Sequence, residues 1–153
     1  MPENPYDDPI FFKKYARMYR SLHGLRGAGE WPLLKKLLPD FTGREVLDFG
    51  CGYGWHCQYA VEHGAAEVVG VDSSRRMLSR ARELHTDERI AYRLAAMESL
   101  DFPAASFHVV LSSLAFHYVA DFPALVGRIA QWLRPGGSFV FSVEHPVFTS
   151  YGT

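Results

Sequence analysis

Short apolar runs alternate with amphipathic segments along most of this chain. Runs rich in Val, Leu, Ile and Phe predict five strands, at residues 44–49, 67–71, 90–94, 107–112 and 138–143. Between the strands, apolar positions recur every three or four residues, which predicts helices at residues 55–63, from 73 or 74 to about 84, and 121–133. Near-continuous apolar strands separated by helices favour a parallel sheet that is covered on both faces.

The first forty residues show a different pattern. Aromatic and basic residues at mixed spacing predict one helix over residues 10–22, and glycines at 24, 27 and 29 end it. Residues 30–38 predict a second helix, because Pro32 lies near its start and Pro39 at its end. We therefore expect residues 1–40 to form a helical lid or cap, and residues 41–153 to form one α/β domain.

The order of strands and helices restricts the topology. Right-handed crossovers leave few arrangements, and the doubly wound order 3-2-1-4-5 places a switch point between strands one and four. Ligands of such sheets bind beyond the carboxyl ends of the strands at that point. The segments that follow strands one and four are therefore predicted to share one pocket.

Composition excludes several classes of function. The formal net charge of −1 gives no overall attraction to nucleic acid or an anionic membrane. No apolar run approaches the roughly 20 residues of a membrane span, and the polar N-terminus lacks a signal-peptide core. The two cysteines, Cys51 and Cys57, favour reduced thiols and a cytoplasmic protein. Neither belongs to a spaced Cys/His set, so no metal site is predicted.

The strongest chemical signal is the turn that follows the first strand. Asp48 precedes glycines at positions 50, 52 and 54, and a helical pattern begins at Trp55. Glycine allows positive φ and a close approach of the backbone to a ligand. A tight turn without a ligand remains an alternative. A nicotinamide or flavin dinucleotide site is a second one, but its third glycine would fall at Trp55.

Four motifs in order resemble those of the class I S-adenosylmethionine-dependent methyltransferases. They are the glycine turn, residues 69–74 (Val-Gly-Val-Asp-Ser-Ser), residues 102–110 before and into strand four, and residues 133–137 (Leu-Arg-Pro-Gly-Gly). The most similar subgroup comprises small-molecule enzymes of the ubiquinone-biosynthesis type. The resemblance implies a Rossmann-like fold, the cofactor S-adenosyl-L-methionine, and methyl transfer to a small-molecule acceptor.

The resemblance also implies which residues hold the cofactor. The turn from Gly50 through Cys51 and Gly52 to Gly54 would pass under its methionine part, and Asp48 would lie near its amino group. Asp72, at the tip of strand two, would accept the ribose hydroxyls. The remaining cofactor positions implied by the resemblance are Ser73, Met77, Ala96, Met97, Glu98 and Ser112.

Adenine recognition departs from the family pattern after strand three. The family often has an acidic residue there, and Ala96 stands at the matching position. Met97 would lie against the adenine ring, and its backbone N–H would bond a ring nitrogen. Glu98 or Asp101 would replace the missing acid, with a solvated surface role as the alternative for each.

The catalytic candidates follow strands four and five. His117 would accept a proton from the methyl acceptor, and a packed, hydrogen-bonded histidine is the alternative. Glu144 and His145 are the other candidates for a general base. Methyl transfer needs a base only if the acceptor is not already nucleophilic. A second hypothesis of another class is a cofactor-binding or interaction module without turnover.

The resembled family continues beyond strand five with another helix and strands six and seven. Here the sequence stops at Thr153, which leaves strand five as an apolar edge. We expect either that the chain is the N-terminal portion of a longer enzyme, truncated at its C-terminus, or that a second copy pairs with this edge.

Overall fold

The computed structural model describes residues 4–113 and 119–143, which form one five-stranded sheet. All pairs are parallel and the order is β3-β2-β1-β4-β5. The strands are β1 (Glu45–Phe49), β2 (Glu67–Asp72), β3 (Ile90–Leu94), β4 (Phe107–Ser113) and β5 (Leu133–Ser142). The predicted fold class and strand order are confirmed.

Helices cover both faces of this sheet, because alternate strand residues point to opposite sides. The main helices are α4 (Trp55–Glu62), α5 (Arg75–Leu84) and α6 (Phe122–Trp132). Val46 packs on one face with residues of α4 and α5, including Ala60 and Leu78. Its neighbour Leu47 packs on the other face with Ile129 and Trp132 of α6.

The N-terminal part consists of short helices rather than the single helix predicted over residues 10–22. The structure has α1 (Pro9–Ala16), α2 (Tyr19–His23), a 3-10 turn (Gly24–Gly27) and α3 (Trp31–Leu37). The prediction was wrong because Met18 is extended, with φ −64° and ψ 148°. That bend lets α1 turn its aromatic side chains, Phe12 and Tyr15, onto Tyr53.

The beginning of the last strand also differs from the prediction. The sequence predicts a strand beginning at residue 138, but β5 begins at Leu133 directly after α6. Phe107 pairs with Leu133, and Val109 pairs with Ser138, so residues 134–137 bulge out of the ladder. Gly136 has φ +78°, and a Cβ on Gly137 would lie 2.9 Å from the carbonyl oxygen of His108.

Candidate functional site

The turn between β1 and α4 has the left-handed geometry that its glycines predict. Gly50, Gly52 and Gly54 have φ values of +81°, +53° and +81°. Residues other than glycine rarely adopt such positive φ values. The amides of Gly50 and Cys51 both donate to the carbonyl oxygen of Val71 at 2.8 Å. The turn is therefore fastened to the end of β2.

Asp72 lies at the tip of β2 and joins this turn to the start of α5. Its Oδ2 accepts from the amide of Gly52, and its Oδ1 accepts from the amide of Ser74, both at 2.9 Å. Burial raises the pKa of Asp72, although the amide hydrogen bonds oppose the shift by stabilising the charged form. The two carboxylate oxygens thus organise the loops on both sides of the strand tip.

Asp48 is buried beneath the same turn. The thiol of Cys57 donates to its Oδ2 at 3.3 Å, while its Oδ1 has no hydrogen-bond partner among the described residues. Burial raises the pKa of this carboxyl to about 7, and the negative charge of Asp72 acts in the same direction. A buried carboxyl oxygen without a partner is costly, so it indicates a site that a donor from outside the chain can complete.

A cleft with about 490 Å³ of empty space, part of it open to solvent, lies against the glycine turn. Its walls come from the N-terminal helices, the turn, the start of α4 and the end of β4. The lining residues are Tyr15, Ser21, Gly24, Leu25, Ala28, Gly50, Cys51, Gly52, Tyr53, Trp55, His56 and Ser113. Neither Asp48 nor Asp72 is among them.

The segment before α1 is hydrogen-bonded to the loop between β2 and α5. The Asn4 side chain donates to Ser73 Oγ at 2.6 Å. Asp7 accepts from Ser74 Oγ at 2.7 Å and from the Arg76 amide at 3.2 Å. The N-terminus therefore lies over the rim of the site where the resemblance places the ribose.

Aromatic side chains of the N-terminal segment also pack against the glycine turn. Tyr6 meets Tyr15 edge to face at 5.3 Å between ring centroids, and Tyr15 meets Tyr53 at 5.6 Å. Phe12 meets the same Tyr53 at 6.0 Å. Tyr53 belongs to the turn itself, so α1 is anchored directly on the predicted cofactor loop.

The other predicted cofactor residues differ in their surroundings. Met77 is buried, and a Cβ on Gly52 would lie 3.1 Å from its Cε. Met97 is half-buried against the apolar cluster beneath α6. Ala96 precedes the 3-10 turn Met97–Ser99, and exposed Glu98 offers its backbone carbonyl to Arg128. The Ser112 hydroxyl is fully buried and donates to the Phe49 carbonyl oxygen at 2.6 Å, which ties β4 to β1.

The catalytic candidates His117, Glu144 and His145 lie outside the described residues. Within the described part, His56 and Glu30 come close to the cleft although the site prediction did not include them. His56, in the first turn of α4, lines it and contacts the Trp31 ring. Glu30 accepts a hydrogen bond from Ser113, a lining residue, at 3.1 Å.

Comparison with known proteins agrees with this geometry. A family model described as a methyltransferase domain matches residues 47–141, which include the glycine turn, Asp72 and strands β1 to β5 almost in full. The chain belongs to this family. The resemblance of its four motifs to the class I S-adenosylmethionine-dependent methyltransferases is confirmed.

Several known methyltransferases are similar to this chain over most of its length. An S-adenosylmethionine-dependent methyltransferase from Mesorhizobium loti is 49% identical with a TM-score of 0.79, covering 82% of this chain. A ubiquinone biosynthesis O-methyltransferase from Bradyrhizobium sp. (strain ORS 278) is 38% identical over 76% of the chain. Phosphoethanolamine N-methyltransferase 3 of Arabidopsis thaliana is 32% identical over 84%. The chain spans 57%, 46% and 27% of these proteins' own lengths.

The described residues also bear on other kinds of site. No helix among them is both long enough and apolar enough to cross a membrane. No group of three or more His, Cys, Asp or Glu side chains in that part of the chain is arranged to hold a metal ion.

Proposed function

We propose that this chain binds S-adenosyl-L-methionine and is the cofactor-binding part of an enzyme that methylates a small molecule. The observation that carries the proposal is the left-handed glycine turn fastened to the Asp72 carboxylate. The residues present fit this cofactor. A backbone cradle lies beside a cleft, and buried Asp48 retains an oxygen without a partner among the described residues.

Each predicted residue has a role that follows from its position. The turn around Gly50 and Gly52 would support the amino-acid part of the cofactor, and Asp72 would accept from the ribose hydroxyls. Met77 beneath the turn and Met97 after β3 would supply apolar contacts, with Met97 beside the adenine ring. When bound, the cofactor would supply an electrophilic methyl group. The protein's part is to align the acceptor with it and exclude water, which can contribute several kcal/mol.

The acceptor is proposed as a small molecule because both curated relatives named above are small-molecule methyltransferases by name. One name specifies oxygen and the other nitrogen as the methylated atom, so both atoms are candidates for the methyl acceptor. The charge of −1 gives no support for a nucleic-acid acceptor. His117, Glu144 and His145 remain the proposed sources of a general base.

Further parts of the proposal concern the whole protein. We propose that residues 1–40 act as a cap over the cofactor, since Asn4 and Asp7 already bond the β2–α5 loop. The free, buried thiols of Cys51 and Cys57 support a reducing, cytoplasmic setting. Pairing of two copies through the edge of β5 is proposed on the exposure of Phe141 and Val143.

Calorimetric titration with S-adenosylmethionine and with its demethylated product tests the proposal. Binding of both is expected, and absence of binding at millimolar ligand would refute the site. A methylation assay with mixed small-molecule acceptors then separates an enzyme from a module without turnover. Transfer of a labelled methyl group by this chain would exclude the inert module.

A further inference from the structure

Glu30 stands out in the charge distribution of the N-terminal helices. It is the only acidic residue among residues 9–38, which contain seven lysines and arginines. Glu30 occupies the N-cap position of α3, but its side chain makes no capping hydrogen bond to that helix. Its carboxylate instead reaches across to the end of β4, where Oε1 accepts from the Ser113 hydroxyl at 3.1 Å.

Ser113 links this carboxylate to the cleft. It lines the cleft together with Gly50 and Gly52, and its Oγ lies 3.2 Å from the Ser142 hydroxyl at the end of β5. A hydroxyl has one proton and two lone pairs. With its proton directed at Glu30 and one lone pair facing Ser142, the Ser113 oxygen has a second lone pair that no described residue occupies.

A hydroxyl that donates to a carboxylate is a stronger acceptor for a further donor. No acidic side chain lines the cleft in the described part of the chain. Asp48, to which the resemblance assigned the ligand's amino group, lies beneath the turn with its pKa raised to about 7. Glu30 thus provides a carboxylate that does not line the cleft itself but is hydrogen-bonded to a lining residue, Ser113.

We propose that Glu30, acting through Ser113, recognises a positively charged group of the ligand at this end of the cleft. Resting on the proposed function, the inference names two sources for that charge, the α-ammonium and the sulfonium of the cofactor. The recognition is electrostatic and polar, with no bond formed or broken. Glu30 is a positioning residue in this account, because Ser113 makes the contact.

Three ligands distinguish the sources of the charge. S-adenosylmethionine has both cations, S-adenosylhomocysteine has only the ammonium, and 5′-methylthioadenosine has neither. Calorimetric dissociation constants are to be measured for the wild type, Glu30→Gln and Ser113→Ala. The control Glu45→Gln removes the same charge at the opposite end of the sheet, where Glu45 pairs with exposed Arg134.

With ammonium recognition, Glu30→Gln weakens both amino-acid ligands about tenfold and leaves methylthioadenosine unchanged. With sulfonium recognition, only S-adenosylmethionine weakens. Ser113→Ala is expected to show the same selectivity with an effect at least as large, because it removes the contacting hydroxyl itself, and Glu45→Gln none. Equal weakening of all three ligands would reveal a purely structural role and overturn the inference, as would dissociation constants within twofold of the wild type. If the wild type bound none of the ligands, the proposed function itself would fail, and this inference with it.

Discussion

The carboxylate of Asp72 accepts a hydrogen bond from the backbone amide of Gly52 at 2.9 Å, although the two residues are 20 positions apart in the chain. This bond couples the tip of the second strand to the turn after the first strand. The turn is therefore held in its left-handed form by the chain itself. Changes at either residue are expected to alter both the ribose side and the methionine side of the proposed site.

Replacing Gly52 with alanine is expected to destabilise the fold and weaken cofactor binding. The residue has φ +53°, and an added Cβ would lie 3.1 Å from Met77 Cε. The left-handed conformation costs an L-residue about 1–2 kcal/mol, so the free energy of unfolding should fall by about that amount. Urea denaturation measures it.

The matched control is Gly127→Ala in α6. Gly127 is exposed, with open space where a Cβ would stand, and it lies within a helix. Alanine there should raise the free energy of unfolding by about 0.5–1 kcal/mol. Equal and small changes in the free energy of unfolding for Gly52→Ala and Gly127→Ala would contradict the steric cost expected for a side chain at Gly52.

Asp48 predicts a specific dependence of stability on pH. Its pKa is raised by burial from 3.8 to about 7 in the folded chain, so the folded state binds a proton that the unfolded state has released. The resulting stabilisation is complete below pH 3.8 and disappears as the pH rises through about 7. The wild type should therefore lose about 2.5 kcal/mol relative to Asp48→Asn between pH 5 and pH 8.

Chemical denaturation across this range measures the difference. Asp87→Asn is the control, because the pKa of partly exposed Asp87 is lowered to about 2 by its hydrogen bonds to Arg89. Asp87 stays charged throughout the range and should add no dependence on pH. A constant difference in stability between wild type and Asp48→Asn would show that Asp48 is ionised in the fold at pH 5.

The hydrogen bonds of Asp7 predict protection of the first turn of α5. Asp7→Ala removes the acceptor of the Arg76 amide and of the Ser74 hydroxyl. Loss of about 1 kcal/mol of hydrogen bonding should speed hydrogen exchange at the Arg76 amide about fivefold. Asp8→Ala removes only the N-cap of α1 and should speed exchange there instead. An unchanged Arg76 amide in Asp7→Ala would argue against this attachment of the N-terminus.

Local sequence patterns predict much of this fold. The apolar runs place all five strands, and Asp72 falls at the tip of β2 as the motif requires. The break at Met18 was not predicted, because residues 10–22 have no proline or glycine and the bend depends on packing against Tyr53. The bulge at residues 134–137 reads as a turn in the sequence, since only the pairing with β4 distinguishes the two.

The site contacts that were not predicted join residues distant in sequence. Glu30 meets Ser113 across 83 positions, and Asn4 meets Ser73 across 69. No spacing rule links such pairs. The lone acid among basic residues at 9–38 was a signal that singled out Glu30, but the sequence does not indicate its partner.

The most direct test of the account is the affinity of S-adenosylhomocysteine for the wild type, Asp72→Ala and the control Asp87→Ala, measured by calorimetry. The account predicts that the wild type binds, that Asp72→Ala binds at least tenfold more weakly because the ribose hydroxyls lose a charged acceptor, and that Asp87→Ala matches the wild type. Equal dissociation constants for all three proteins would contradict it.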